Sequence, residues 1–167
     1  MKAFFPAFAA VLIFAFSGAC RADGVAKDFL SHARAIAAAE KKAVLAVFSG
    51  YDWSPACQRF ENDILKNSAF KNYAKRNLVV VKIDVKKDGA RSVSVDGRPA
   101  SAPEFDANLS EAAERGLAAA LKVDSIPFAA LLDSNGKPIF EMRGCPRNCD
   151  AKDFVKRLRA ALRKSKK

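Results

Sequence analysis

The alternation of apolar and polar positions divides the chain into helical and extended stretches. Phe29, Leu30, Ala33, Ile36 and Ala37 recur at helical spacing and predict an amphipathic helix over about residues 26–40. An apolar run of strand-type residues then begins at Val44 and breaks at Ser49-Gly50. Tyr51, Asp52 and Trp53 lead into Ser54-Pro55-Ala56-Cys57, where Pro55 stands at a helix start, the place its missing N–H and fixed φ cost least. Cys57, Phe60 and Ile64 are three and four residues apart, so they share one helix face, and that face must look into the core. A helical piece follows over residues 68–76. Residues 78–85, LVVVKIDV, form a nearly continuous apolar run, the signature of a strand covered on both faces. Strand, helix, strand is a crossover, so these two strands run parallel.

Residues 86–107 interrupt the pattern with Gly, Pro, Ser and charge. Ser92-Val93-Ser94-Val95 before Asp96-Gly97 allows a small hairpin there. The stretch otherwise reads as an insertion, mobile rather than catalytic. Asn108-Leu109-Ser110-Glu111 has the form of a capping box and opens a helix to about Val123. Ile126-Pro127 then introduces FAALLD, a turn at residues 133–136, and PIFEM, an antiparallel hairpin. Asp150 is placed to cap a last helix whose buried stripe is Phe154, Val155, Leu158, Ala161 and Leu162.

Composition changes the picture at the two ends. The chain has 167 residues, half of them apolar, enough for one domain with a proper core. Its first stretch stands apart. Lys2, an uncharged apolar run over residues 3–16, and the small residues around Cys20 have the layout of a secretory signal over residues 1–22, too short for a bilayer span. The remaining domain is residues 23–167. Cys20 has two readings: the acylated cysteine of a lipoprotein signal, which would attach the chain to a membrane, or part of a segment that ordinary signal peptidase removes. Without residues 1–22 the chain keeps 27 basic and 18 acidic residues, a net charge of +9. Much of the excess lies in the tail from Arg157 to Lys167, where cations favour the end of a helix dipole, so a solvated basic face is the first reading. No aromatic residues are interleaved there for base stacking, which argues against a nucleic-acid partner. Export to the periplasm or cell envelope permits disulfides.

The strand that delivers Trp53, Pro55 and Cys57 to a helix N-terminus resembles the active-site corner of the thioredoxin family, where Trp-Cys-x-x-Cys is usual. The Ile126-Pro127 step, the Asp133-x-x-Gly136 turn and the Arg143-Gly144 exit from the last strand match that family in order, over roughly residues 41–163. Ser49-Gly50-Tyr51-Asp52-Trp53 is similar to an exported bacterial branch whose corner reads Ser/Thr-Gly-x-Asp-Trp-Cys. The resemblance implies an α/β thioredoxin fold: a four-stranded mixed sheet, order 2-1-3-4, with helices on both faces. It also implies a cis bond before Pro127, whose backbone would pair with an extended peptide as an added strand. Trp53, Pro55, Ile126, Pro127 and Gly144 would line that groove, with Phe128 where a threonine is common. Tyr51 and Trp53 either rim the groove or simply cover the corner.

In the family the first corner cysteine attacks a substrate disulfide as a thiolate stabilised by the helix N-terminus, and the second resolves the mixed disulfide. Ser54 occupies the attacking position and forms no disulfide. Hydrolysis by Ser54 would need a base within reach, and the sole histidine, His32, lies in another helix as a packing residue. Cys57 keeps the resolving position, where burial disfavours its thiolate, so a redox role and a small buried hydrophobe stand side by side. Cys145 and Cys149 follow Gly144, in a loop that the resemblance sets beside the corner. Pairing them closes a small ring worth only about 2 kcal/mol in chain entropy. A loop staple is the first reading and a switchable disulfide the second. A zinc site from Cys57, Cys145, Cys149 and His32 lacks paired Cys-x-x-Cys knuckles, and no motif calls for a cofactor. The expected function is residual or modified thiol–disulfide chemistry on protein or peptide thiols and disulfides. The alternative is a redox-silent module that binds an extended peptide or partner protein.

Overall fold

The computed structural model describes residues 28–99, 107–145 and 150–165, with the side chains of residues 107–109 left out. The export signal with Cys20, and the pairing partner Cys149, therefore lie outside the described residues.

α1 (Phe29–Ala39) is capped by Asp28, whose Oδ1 accepts the Leu30 and Ser31 N–H groups, both at 2.9 Å. β1 (Ala43–Ser49) is buried along its whole length. α2 (Pro55–Arg59) continues as a π-helical stretch, Phe60–Leu65, and α3 (Ser68–Asn77) leads into β2 (Leu78–Val85). β1 and β2 pair in parallel from Ala43↔Leu78 to Ser49↔Asp84, as the crossover requires. β5 (Phe128–Leu132) and β6 (Pro138–Arg143) form the expected antiparallel hairpin, with β5 against β1. α5 (Ala151–Ser165) starts at Asp150, whose Oδ1 accepts the Asp153 N–H at 2.7 Å.

Among the described residues the sheet has six strands rather than four, with β3 (Arg91–Val95) and β4 (Arg98–Pro99) added, in the order β4-β3-β2-β1-β5-β6. The expected 2-1-3-4 arrangement is its inner part, β2-β1-β5-β6. The two added strands come from the stretch read as an insertion. Asp96 and Gly97, with φ of +46° and +81°, make the tight turn between them, since both central positions of such a turn need positive φ. Val95 is buried, and Asp96 exchanges two bonds with Val80: its N–H donates to the Val80 carbonyl, and its Oδ1 accepts the Val80 N–H. The physical reason is the margin of β2, whose row of N–H and C=O groups would otherwise face outwards. This part of the insertion belongs to the sheet. The last connecting helix also differs slightly. α4 (Ala107–Ala120) is already helical one residue before Asn108, so Asn108 is not its cap.

Helices cover both faces. α1 and α4 pack with Val44, Ala46, Phe48, Val79, Val81 and Ile83 on one side. The α2 helix with its π-helical continuation, α3 and α5 enclose Leu45, Val47, Phe60, Ile64, Phe154 and Leu158 on the other. His32 and Cys57 thus belong to opposite layers, so the fold does not gather the four-ligand zinc set. No helix among the described residues is long and apolar enough to cross a membrane.

Candidate functional site

β1 ends at Ser49 and the chain turns at once into α2. Trp53 and Ser54 both donate their N–H groups to the Gly50 carbonyl, at 3.2 and 2.8 Å, closing the turn. Ser54 is extended (φ −103°, ψ 111°) and serves as the N-cap of α2, its Oγ accepting the Cys57 N–H at 3.4 Å, with Pro55 in the first turn. The serine in the attacking position therefore acts as a helix cap, a role for which serine ranks among the best residues. It is buried, and Cys57 beneath it is fully buried with a free thiol.

Neighbouring strands hold this corner. The Trp53 indole Nε1 donates to the Val85 carbonyl at 2.8 Å, and the Tyr51 N–H donates to Asp84 Oδ1 at 3.2 Å. Lys86 pairs with Asp52 at 2.9 Å. These anchors all come from the end of β2, and the parallel register that brings Ser49 beside Asp84 puts them in place. The two candidate rim aromatics separate. Trp53 is 43 % exposed, the sole exposed large hydrophobic side chain among the described residues. Tyr51 is half-buried, with the Lys66 and Lys82 ammonium groups 5.1 and 5.8 Å from its ring centroid.

The Ile126-Pro127 bond is cis, and the Gly144 N–H donates to the Pro127 carbonyl at 2.8 Å. Among the described residues the Ile126 amide and carbonyl take no hydrogen bond. The step meets the corner at Gly50: a Cβ built there would lie 2.8 Å from Ile126 Cδ1 and from the Trp53 ring atoms Cε2 and Nε1. Arg143 braces the step from behind. Its guanidinium donates to the Leu121 and Lys122 carbonyls and to Asp124, and stacks 5.0 Å from the Phe128 ring centroid. A hydrogen bond from Ser125, and then the paired Arg143, hold the Asp124 carboxyl below its ordinary range.

Gly50→Ala is expected to break the indole–Val85 bond, because neither Ile126 nor the anchored ring can retreat without losing its packing. The cost of overpacking such a contact is about 1–3 kcal/mol. Trp53 is the single tryptophan, so its emission maximum and acrylamide quenching report the change directly. Unaltered fluorescence in the variant would show that the corner is looser than its contacts imply.

Cys145 leaves β6 immediately after Gly144 and packs, half-buried, against the layer that contains Phe60 and Ile64. Burial pushes its thiol above the ordinary cysteine range. Arg59 opposes that rise, while Asp63 and Cys57 add to it. The Cys145 thiol therefore lies within electrostatic reach of Arg59, Asp63 and Cys57. The structure thus brings together Trp53, Ser54, Pro55, Cys57, Ile126, Pro127, Gly144 and Cys145. Sequence reasoning missed Arg59, Asp63 and Asp84, and gave Gly50 and Arg143 only as positions matching the family, without a role at the site. Asp84, a carboxylate near the end of an otherwise apolar strand, was the one with a visible signal.

The architecture is that of a three-layered α/β protein with a strand-to-helix corner set against a cis Ile–Pro step. The profile of the family described as thioredoxin-like domain matches residues 30–162, and the chain belongs to that family. No curated protein sequence matches the chain. Among 16 matching solved chains is a DsbH oxidoreductase, 21 % identical with a TM-score of 0.62, covering 81 % of this chain and 82 % of its own. A disulphide isomerase from Xylella fastidiosa Temecula1 matches at 21 % identity and TM-score 0.52, covering 78 % and 88 %. The oxidised C-terminal domain of DsbD from Neisseria meningitidis matches at 16 % and 0.51, covering 79 % and 91 %. At these identities the likeness is one of fold.

Proposed function

We propose that the chain is an exported protein of the thiol–disulfide class, working in the periplasm or cell envelope, in which the corner no longer starts the exchange. The observation that carries this reading is the free, buried Cys57 thiol, with Cys145 close enough for the two to influence one another. Cys145 is the more accessible sulfur. Its thiolate attacks a substrate disulfide, forming a mixed disulfide and releasing one substrate thiolate, which takes up a proton. A second thiol, Cys57 or Cys149, then gives up its proton and attacks the Cys145 sulfur. The second substrate sulfur leaves as a thiol, so the substrate gains two electrons and the protein ends as a disulfide. The family membership and the names of the fold neighbours support the class of chemistry.

The test is a map of thiol reactivity. After full reduction, Cys145 is expected to alkylate slowly at neutral pH. Its rate should rise with pH through and beyond 9.0, the ordinary value from which its thiol is raised, because only the thiolate reacts. Asp63→Asn removes a group that raises the thiol and should shift the profile to lower pH, while Arg59→Ala should shift it higher. Non-reducing peptide maps after exposure to a disulfide should contain a bond involving Cys145. Maps in which Cys57, Cys145 and Cys149 all stay reduced would overturn the reading.

A second reading has its own observation. The exposed Trp53 stands beside an Ile126 peptide whose N–H and C=O are unused among the described residues, which suits an extended peptide with no electron transfer. Partner binding lost in Trp53→Ala but unaffected in Cys57→Ala would favour this module.

A further inference from the structure

We infer that the recess between α3 and α5 is a docking site for the phosphate headgroups of an anionic lipid surface. Arg76 from α3 and Arg159 and Arg163 from α5 line a hollow of about 460 Å³, with Tyr73, Asn77 and Leu162 completing its walls. A second hollow of about 290 Å³ lies alongside and shares Arg159 and Arg163, adding Lys152 and Lys156. Neither lining contains a carboxylate. Among the described residues none of these five cations has an ion-pair partner, whereas Arg157, on the same helix, pairs with Asp153 at 2.8 Å.

Lys152, Lys156, Arg159 and Arg163 are spaced by four, three and four residues, which sets them in one stripe along about 16 Å of helix. Like charges at such spacing weaken a helix, so an unneutralised stripe indicates an anionic partner. Arg159 is already oriented, its guanidinium carbon 5.2 Å from the Tyr73 ring centroid. Tyr73 is buried, and burial raises its hydroxyl, so it adds no negative charge to the wall. Arginine suits phosphate because its fork donates two parallel hydrogen bonds.

The extent of the surface favours a lipid layer over a single small anion, since five cations over two adjoining hollows match repeated headgroups. Nucleic acid is disfavoured because, among the described residues, no exposed aromatic ring lies here for stacking and the exposed Trp53 belongs to the corner. The apolar face of α5 is spent on the core through Phe154, Val155 and Leu158, so docking is electrostatic and rests on the surface without insertion.

The test is co-sedimentation of the full chain with phosphatidylcholine vesicles and with vesicles that also contain phosphatidylglycerol. The apolar run over residues 3–16 can bind either kind, so the readout is the difference between them. Binding to the anionic vesicles should be stronger and should weaken with added salt. The triple variant Arg76→Gln/Arg159→Gln/Arg163→Gln should lower it on the order of a hundredfold, with an unchanged circular-dichroism melting curve. Equal binding to both vesicle types, or a triple variant that binds like the parent, overturns the proposal. So does saturation of the recess by inorganic phosphate, or by a single-stranded oligonucleotide, at matched ionic strength. The surface lies away from the corner, so thiol mapping of the triple variant should match the parent and the two readings fail separately.

Discussion

Ser54→Cys is expected to restore the corner as a working disulfide reductase, with insulin reduction rising over the parent on the order of a hundredfold or more. The corner is already built for it. Ser54 stands at the N-cap with its oxygen facing the Cys57 N–H, and Pro55 fixes the first helical turn behind it. A cysteine there places sulfur at the positive end of the helix, where the thiolate is favoured. Cys57, three residues on, is positioned to resolve the mixed disulfide. The natural serine offers neither a thiolate nor a sulfur to pair. Cys57→Ala added to Ser54→Cys should abolish multiple turnover while leaving a trapped mixed disulfide. A Ser54→Cys variant as inactive as the parent would mean that the groove no longer admits a disulfide, and would favour the binding module.

Phe154→Ala is expected to be the most damaging single change to stability, at about 3–5 kcal/mol. The ring is fully buried at the centre of one layer, with the Phe60, Phe70 and Phe140 centroids 5.6, 5.8 and 6.0 Å away. It therefore joins the π-helical stretch after the corner, α3, β6 and α5. Such a loss is a large fraction of the total stability of a domain this size. Urea unfolding should show a lower midpoint with the slope retained, while Phe154→Leu, which keeps most of the volume, should lose much less. A midpoint close to the parent's would mean that the layer collapses into the hole.

What could be read from the sequence was what short-range pattern determines. Continuous apolar runs located β1 and β2, two such runs about a turn located the β5–β6 hairpin, helical spacing located the buried face Cys57-Phe60-Ile64, and Asp150 caps α5 as its position suggests. Features that depend on distant partners were not legible. Ser92-Val93-Ser94-Val95 before Asp96-Gly97 shows a possible small hairpin, but that this hairpin extends the sheet depends on the bare margin of β2 and is not legible locally. The tail arginines read as a solvated face because Arg76 and Tyr73 stand some 80 positions earlier and only α3–α5 packing brings them together. Trp53 shows its type in the sequence, but its bond to a backbone carbonyl carries no side-chain signal. The capping box at Asn108 failed for a local reason, since helical geometry is already present at Ala107.

The sheet's two borders have a consequence for selectivity. Among the described residues one is a two-residue strand that includes Pro99, and the other opens with Pro138, so each border lacks a backbone donor that a visiting strand would use. Under the binding-module proposal a docking chain would meet the short Ile126 peptide and the indole of Trp53 beside it. Choice among visitors would then come from the one or two side chains that meet that ring, so brief motifs would be selected over extended sequences.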